Sequence, residues 1–279
     1  MLDKHVNDAA LDAIRKDGTA ARAFWQALMA QDALVLEGLL SDHAQELLSL
    51  RDEKTAKTPV EWCVFLHRHD ALRALLAHGA DVEAFSPGAM CAPLAQACSD
   101  QCMDCVEILL AGGAEVDAEG ADGGTALFKA ANAKFEKKSA SIVKALLSAG
   151  AEPNKITSKG FFALGAAASW DKSSDVSAIL DADGDVDLDA GDGYSALFYA
   201  VSNNAAKAAE ELLRRGAGFA KKIDCDGDLL DPLGLARCEG HASMAALLYS
   251  FAEAHALRER IGKIAPRAVK PLGKKTARL

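Results

Sequence analysis

Cys91, Cys98, Cys102 and Cys105 stand close together and include one Cys-x-x-Cys pair. Thiolates at that spacing are zinc ligands in structural sites, and the same pair supports thiol–disulfide exchange. A second polar set is the run Asp181 to Asp192 (DADGDVDLDAGD), with carboxylates at alternate positions as in a calcium loop. Its register departs from that loop. Counted from Asp181, Val186 takes the place of the sharp-turn glycine, and Asp192 takes the twelfth place, where a bidentate Glu is needed. Asp224-Cys-Asp-Gly-Asp228 has similar appeal and the same weakness, and His67 and His69 flank Arg68. The sequence contains no HExxH, no GxSxG elbow, no phosphate-binding glycine loop and no kinase set, so it points away from an enzyme.

The elements that must position these residues are set by repetition. LLAHGADV at Leu75 to Val82 returns as LLAGGAEV (Leu109 to Val116), LLSAGAEP (Leu146 to Pro153), ILDADGDV (Ile179 to Val186) and LLRRGAGF (Leu212 to Phe219). The steps are about 34, 37, 33 and 33 residues, a period that signals stacked helical units. A second phrase runs in phase: TPVEWC at Thr58, APLAQA at Ala92, TALFKA at Thr125, FALGAA at Phe162, SALFYA at Ser195 and DPLGLA at Asp231. Each hexamer opens a helix, its small first residue placed to cap it and Pro59, Pro93 and Pro232 placed in the first turn. The Leu-Leu pair falls on a second helix about twelve residues later. Both helices are too short to stand alone, and only a neighbouring unit covers their apolar stripes. Gly79, Gly113, Gly150 and Gly216 are expected at left-handed helix ends, with Asp183 in that place once. Gly123, Gly160 and Gly193 end the turn-rich stretches that follow, which should be hairpin-like fingers.

Composition agrees. Half of the 279 residues are apolar, and no apolar run approaches the roughly 18 needed to cross a bilayer. The N-terminal residues have neither the apolar segment nor the cleavage site of a secretory signal, and the seven cysteines are odd in number and scattered. Both observations imply a soluble, reduced, cytoplasmic chain, with secretion lacking a cleavable signal left open. The net charge of −9 is uneven: His255 to Leu279 carries about +7, leaving about −16 (−9 − 7) on the remainder.

The two phased phrases resemble the ankyrin repeat family, whose pattern runs Thr-Pro-Leu-His-x-Ala, then Gly-His, then Leu-Leu-x-x-Gly-Ala-Asp-Val-Asn. The resemblance covers roughly Ala23 to Ala252. It implies an all-α solenoid of about seven helix-turn-helix units with fingers: a lead-in at 1–19, a degraded first unit at 20–50, full units over about 51–227, a cap unit at about 228–256 and a basic tail at 257–279. The family's hexamer histidine is replaced by Glu61, Ala95, Phe128, Gly165, Phe198 and Gly234, and its Gly-His pair survives only as Gly240-His241. Lys134 to Ser141 and the long finger Ala220 to Leu230 are read as loop insertions.

In that frame the polar sets become scaffold. Cys98 takes a small core position, Cys102 replaces the histidine of the Gly-His pair, and Cys105 lies on the apolar side of the second helix, so the thiols are expected buried and inert. The aspartate run is expected as a solvated finger, and His67 and His69 as solvated or capping residues. No cofactor or metal is expected. The resemblance implies a protein–protein interaction module whose concave face and finger tips bind a partner protein. Carried over by spacing, that face includes Glu119, Asp122, Asn132, Ile156, Lys159, Phe161, Trp170, Asp189, Asp192, Tyr194 and Asn203. Phe161, Trp170 and Tyr194 are the expected aromatic anchors. The acidic body favours a basic partner surface over nucleic acid, and the chain is expected to be monomeric alone. The Ala-rich, divergent repeats look bacterial, which adds two alternatives on the same surface: a toxin inhibitor or immunity protein, and a host-directed effector.

Overall fold

The structure is a computed structural model that describes residues 19–30, 32–134, 136–191, 193–219, 221–225 and 228–264. The described residues form fourteen helices, and these pair as seven units: α1 (Thr19–Ala30) with α2 (Ala33–Leu48), α3 (Pro59–Phe65) with α4 (His69–Ala77), α5 (Pro93–Ser99) with α6 (Met103–Ala111), α7 (Ala126–Asn132) with α8 (Glu136–Ser148), α9 (Ala163–Ser169) with α10 (Ser173–Asp181), α11 (Ala196–Ser202) with α12 (Ala206–Arg214), and α13 (Pro232–Cys238) with α14 (Ala242–Ile264). From the second unit on, the first helices stack on one another as an inner layer and the second helices as an outer one. The inner layer is made thin by small residues. Ala126, Ala130 and Ala131 of α7 and Ala163, Ala166, Ala167 and Ala168 of α9 are all buried, so adjacent backbones approach closely.

The hexamers open helices as expected, but only some caps form. The side chains of Thr58, Thr125 and Asp231 accept from the N–H groups of Glu61, Phe128 and Gly234. Ala92 and Phe162 have no oxygen to offer, and the helix begun after Ser195 has no side-chain cap, so packing holds those starts instead. Glu61, in the place of the family's histidine, remakes its bonds: it accepts from Thr58 N–H at 2.7 Å and from the Ser86 hydroxyl at 2.8 Å.

Two left-handed turns repeat through the stack. After each second helix, Gly79, Gly113, Gly150, Asp183 and Gly216 have positive φ. The next N–H then returns to the helix, Ala80 to Leu75, Ala114 to Leu109, Ala151 to Leu146, Gly184 to Ile179 and Ala217 to Leu212, all at 2.9 to 3.0 Å. Asp183 therefore keeps the turn intact. Gly184 is obligatory beside it, because a Cβ there would stand 2.6 Å from the Ile179 carbonyl oxygen. Between the helices of a unit, His67, Gln101, Asp171, Asn204 and Gly240 are also left-handed, with φ from 53° to 75°. The following N–H again bonds back, Arg68 to Cys63, Cys102 to Ala97, Lys172 to Ala167, Ala205 to Ala200 and His241 to Ala236. The Gly-His shape thus persists in four units whose sequence has lost the glycine.

Two local expectations change, and the expected hairpin form is met in full by one finger. Lys134 to Ser141 is not a loop extension: most of it forms the first turns of α8, which has 13 residues against 9 in α6 and α10. The long finger forms a two-stranded antiparallel hairpin, β1 (Ile223–Cys225) with β2 (Asp228–Leu230), which pairs Ile223 with Leu230. Elsewhere among the described residues the fingers are turns, with one isolated bridge between Asp189 and Ser195. Helix α14 continues past Ala256 to Ile264, and the rest of the basic tail lies outside the described residues. No helix among the described residues is long and apolar enough to cross a membrane.

Candidate partner-binding face

The fingers are tied together by one bond repeated at the period of the sequence. Glu83 accepts from Glu115 N–H at 2.7 Å, Asp117 from Glu152 N–H at 3.1 Å, Asn154 from Asp185 N–H at 2.7 Å and Asp187 from Gly218 N–H at 2.8 Å. Each of these side chains follows the Gly-Ala-Asp-Val phrase of its unit, so each unit's carboxylate or amide satisfies a backbone donor of the next. This accounts for the Asp187 carboxylate and the Asp185 N–H of the aspartate ladder. Asp181 pairs with Arg215 at 2.7 Å, and Asp185 accepts from Asp187 N–H. Asp189 pairs with Lys221 and accepts from Gly191 N–H at 2.5 Å. The acids are spent on different partners along the finger rather than converging on a cation. Asp192, expected on the binding face, lies outside the described residues, as does part of the Asp224 to Asp228 set.

The other predicted face residues sit on α7, α9, α11 and the fingers between them. Trp170 is 46% exposed, and its indole N–H donates to Asn132 Oδ1 at 2.7 Å across to the preceding unit. That bond satisfies the indole's polar edge and fixes the ring with its apolar face toward solvent. Phe161 is exposed and stacks on Phe128 of the preceding unit, centroids 4.8 Å apart and planes 6° from parallel. Tyr194 is half-buried and packs against Phe198 and Tyr199, and Tyr199 meets Phe162 edge-on. The three expected anchors are thus each seated on a different neighbour. Phe128 and Tyr199 join the patch without any signal in the face spacing, Phe128 standing where the family has its hexamer histidine. Ile156 is exposed on the same finger as Phe161.

The polar residues of the face are largely paired. Burial alone would raise the pKa of Asp122, but hydrogen bonds from Lys129 and from Gly124 N–H outweigh it and hold the carboxyl below its ordinary value. Glu119 accepts from Ser158 N–H at 3.0 Å, which lowers its pKa, and Asp189 is lowered chiefly by Lys221. Lys159 reaches the Ala121 carbonyl oxygen at 3.3 Å, and Asn203 donates to the Tyr199 carbonyl oxygen at 2.9 Å from the end of α11. The fingers stay acidic, but several of these carboxylates already hold the face in shape.

Behind the face the sequence reading missed a buried ionic network. Lys172 and Asp175 are fully buried and 3.6 Å apart. Lys172 Nζ donates to the Ala131 carbonyl oxygen at 2.8 Å, and the Ser139 hydroxyl donates to Asp175 at 2.6 Å. Lys172 occupies the same turn position as Cys102 and His241, which was the one available signal. The cysteine set divides. Cys63 and Cys98 are buried in the core with their thiols pushed up by desolvation, whereas Cys102 lies beside His69.

Comparison with known proteins agrees with this architecture. The family model described as ankyrin repeats (3 copies) matches residues 89–157 and 130–223. The crystal structure of the ankyrin repeat domain of Bcl-3, described as a unique member of the IkappaB protein family, is similar over 81% of this chain and 97% of that one, with a TM-score of 0.68 and 24% sequence identity. No curated protein sequence matches the chain.

Proposed function

We propose that this chain, which has the ankyrin repeat fold and matches the ankyrin repeat model over residues 89–223, is a non-enzymatic module binding a partner protein through the face of α7, α9 and α11 and the adjoining finger tips. Ankyrin repeats are generally protein–protein interaction modules, so the open question is where the contact lies. The observation that carries the proposal is the Trp170–Asn132 bond beside the Phe161–Phe128 stack. Rings held rigidly and left exposed lose little conformational freedom when a partner covers them, and that is what makes Trp and aromatic neighbours energetic centres of interfaces.

The partner carries a basic patch. Exposed carboxylates in the fingers attract it over distance, speeding association and making affinity fall with salt. The test is an affinity capture with the full chain, followed by titration of the captured protein against wild type and the Phe161→Ala, Trp170→Ala, Tyr194→Ala triple variant. Loss of about 2 kcal/mol or more of binding, roughly 30-fold in Kd, is expected for the triple variant. An unchanged Kd in a folded variant places the interface elsewhere.

A further inference from the structure

Among the described residues, His67, His69, Cys102 and Cys105 form the group of metal-ligating side chains whose atoms all lie within 4.8 Å of one another. They come from two consecutive units by a simple route. His67 is the left-handed residue between α3 and α4, and His69 opens α4. Cys102 stands one residue after the matching turn of the next unit and caps α6, its sulfur accepting from Cys105 N–H at 3.3 Å. Stacking the units brings the two helix starts side by side, and His69 Nε2 reaches Cys102 Sγ at 3.3 Å.

We propose that these four side chains bind a zinc ion that clamps the second unit to the third. Zn–N distances of about 2.0–2.1 Å and Zn–S distances of about 2.3 Å place tetrahedral ligand atoms about 3.3–3.8 Å apart. The His69–Cys102 pair already has that spacing at 3.3 Å, and the other pairs, all within 4.8 Å, need close by no more than about 1.5 Å to reach it. Two thiols and two imidazoles are the donor set of a closed structural zinc site, with a softness that disfavours calcium and magnesium. Asp104 Oδ2 lies 3.7 Å from His69 Nδ1, the relation by which a carboxylate behind a histidine turns its other nitrogen toward a metal. As the two Zn–S bonds form, each thiol gives its proton to solvent, and two thiolates with Zn²⁺ make an electrically neutral unit to bury. Cys102 and Cys105 are buried, His69 is half-buried and His67 is exposed, so the site is closed beneath and open to an arriving ion from one side. Inert core thiols account for Cys105 alone; they do not account for two imidazoles gathered beside the same sulfur.

The test uses the full chain, kept reduced, stripped of metal and titrated with Zn²⁺ alone against a chromophoric chelator, with Co²⁺ as a spectroscopic substitute. The expected result is one ion per chain and a cobalt spectrum showing thiolate charge transfer and intense tetrahedral bands. Cys102→Ser with Cys105→Ser, and separately His67→Asn with His69→Gln, should each weaken binding by more than about 100-fold. Cys98→Ala, a fully buried thiol outside the group, should leave it unchanged. His67 is exposed and Asn tolerates its left-handed backbone, so the single variant His67→Asn stays folded and tests the site even where the cysteine variant does not. A helical wild-type chain that takes up no zinc overturns the proposal, as does zinc binding that survives either the histidine or the cysteine variants.

Discussion

Cys102 and Lys172 occupy the same position in two units, the residue after the left-handed turn, and do opposite things with it. At Lys172 the structure seals a charge inside: the ammonium reaches the Ala131 carbonyl oxygen and pairs with Asp175, and all of it is out of water. At Cys102 the structure gathers a group that one face leaves reachable, with His67 exposed above two buried sulfurs. The backbone is common to both, since Cys102 N–H and Lys172 N–H each bond to the carbonyl five residues back at 3.0 Å. The repeat therefore fixes where this side chain points, into the seam between units, and leaves its chemistry free. The lesson is that in a solenoid the seam position, rather than the exposed face, is where a unit declares how it is joined to its neighbour.

The sharpest way to break the comparison is to cut the sealed network. Lys172→Met leaves Asp175 buried without its ammonium, and removal of one partner from a buried ion pair costs about 3–5 kcal/mol. The loss is read from the urea midpoint of the full chain. Lys172→Met combined with Asp175→Leu removes both charges and is expected to recover much of it, because desolvation of the second charge disappears with the charge itself. Failure of the double variant to recover would mean that the network's value lies in the Ala131 and Ser139 bonds rather than in charge pairing.

The open side should answer to metal instead. At Zn²⁺ about 100-fold above the dissociation constant, the wild-type chain gains about 2.7 kcal/mol of stability, while the Cys102→Ser, Cys105→Ser variant gains none. The same zinc leaves the stability of the Lys172→Met chain shifted by the equal amount, because the two seams lie in different units. A gain in the cysteine variant would place the metal elsewhere.

How legible these seams were in the sequence differs for physical reasons. The helices, their order and the glycine-ended turns follow from periodicity and local stereochemistry, and the phrases at Leu75, Leu109, Leu146, Ile179 and Leu212 mark them directly. Asn132, Phe161 and Trp170 are placed on the expected face by the family resemblance, carried over by spacing, and all three are exposed. What spacing does not supply is contact between units at one remove. His69 meets Cys102 across 33 residues, Asn132 meets Trp170 across 38 and Lys172 meets Ala131 across 41. The near-sequence cluster of Cys91, Cys98, Cys102 and Cys105 invites a zinc site by its spacing, and the repeat frame instead makes its thiols buried scaffold. The stack splits that set, sending Cys98 into the core and Cys102 to the histidines of the preceding unit. Cys102 and Lys172 share a position two periods apart, a match that local sequence does not display.

A smaller effect extends the sealed side to the outer layer. Glu211 of α12 is buried, which alone would raise its pKa, but hydrogen bonds from Arg214, Ser177 and Arg215 outweigh burial and lower it below its ordinary 4.5. A carboxyl whose folded pKa is depressed binds protons more readily in the unfolded chain. Its contribution is therefore complete above the unfolded value and is lost as pH falls through the folded one. Unfolding free energy measured from pH 6 downward should drop below about pH 4.5, and Glu211→Gln should make that part of the fall shallower. An identical acid limb in the variant removes Glu211 from the account.

The smallest effect tests the turn that both seams share. Asn204 is left-handed at φ 53° and exposed, in the place where the last unit has Gly240. A Cβ at that backbone costs energy that glycine avoids, while glycine loses more freedom on folding; Asn, among the most tolerant residues there, narrows the difference further. Asn204→Gly is expected to stabilise the chain by about 0.5 kcal/mol, a small rise in the urea midpoint with an unchanged slope. Asp171→Gly makes the same backbone change but gives up the bond from Ala208 N–H at 2.9 Å, which joins its unit to the next, and should therefore destabilise. Opposite signs for glycine at two equivalent turns would show that the Asp171 turn has exchanged its glycine for a link across the seam. Equal signs would mean that the link at Asp171 contributes nothing and that the non-glycine turns merely tolerate their side chains.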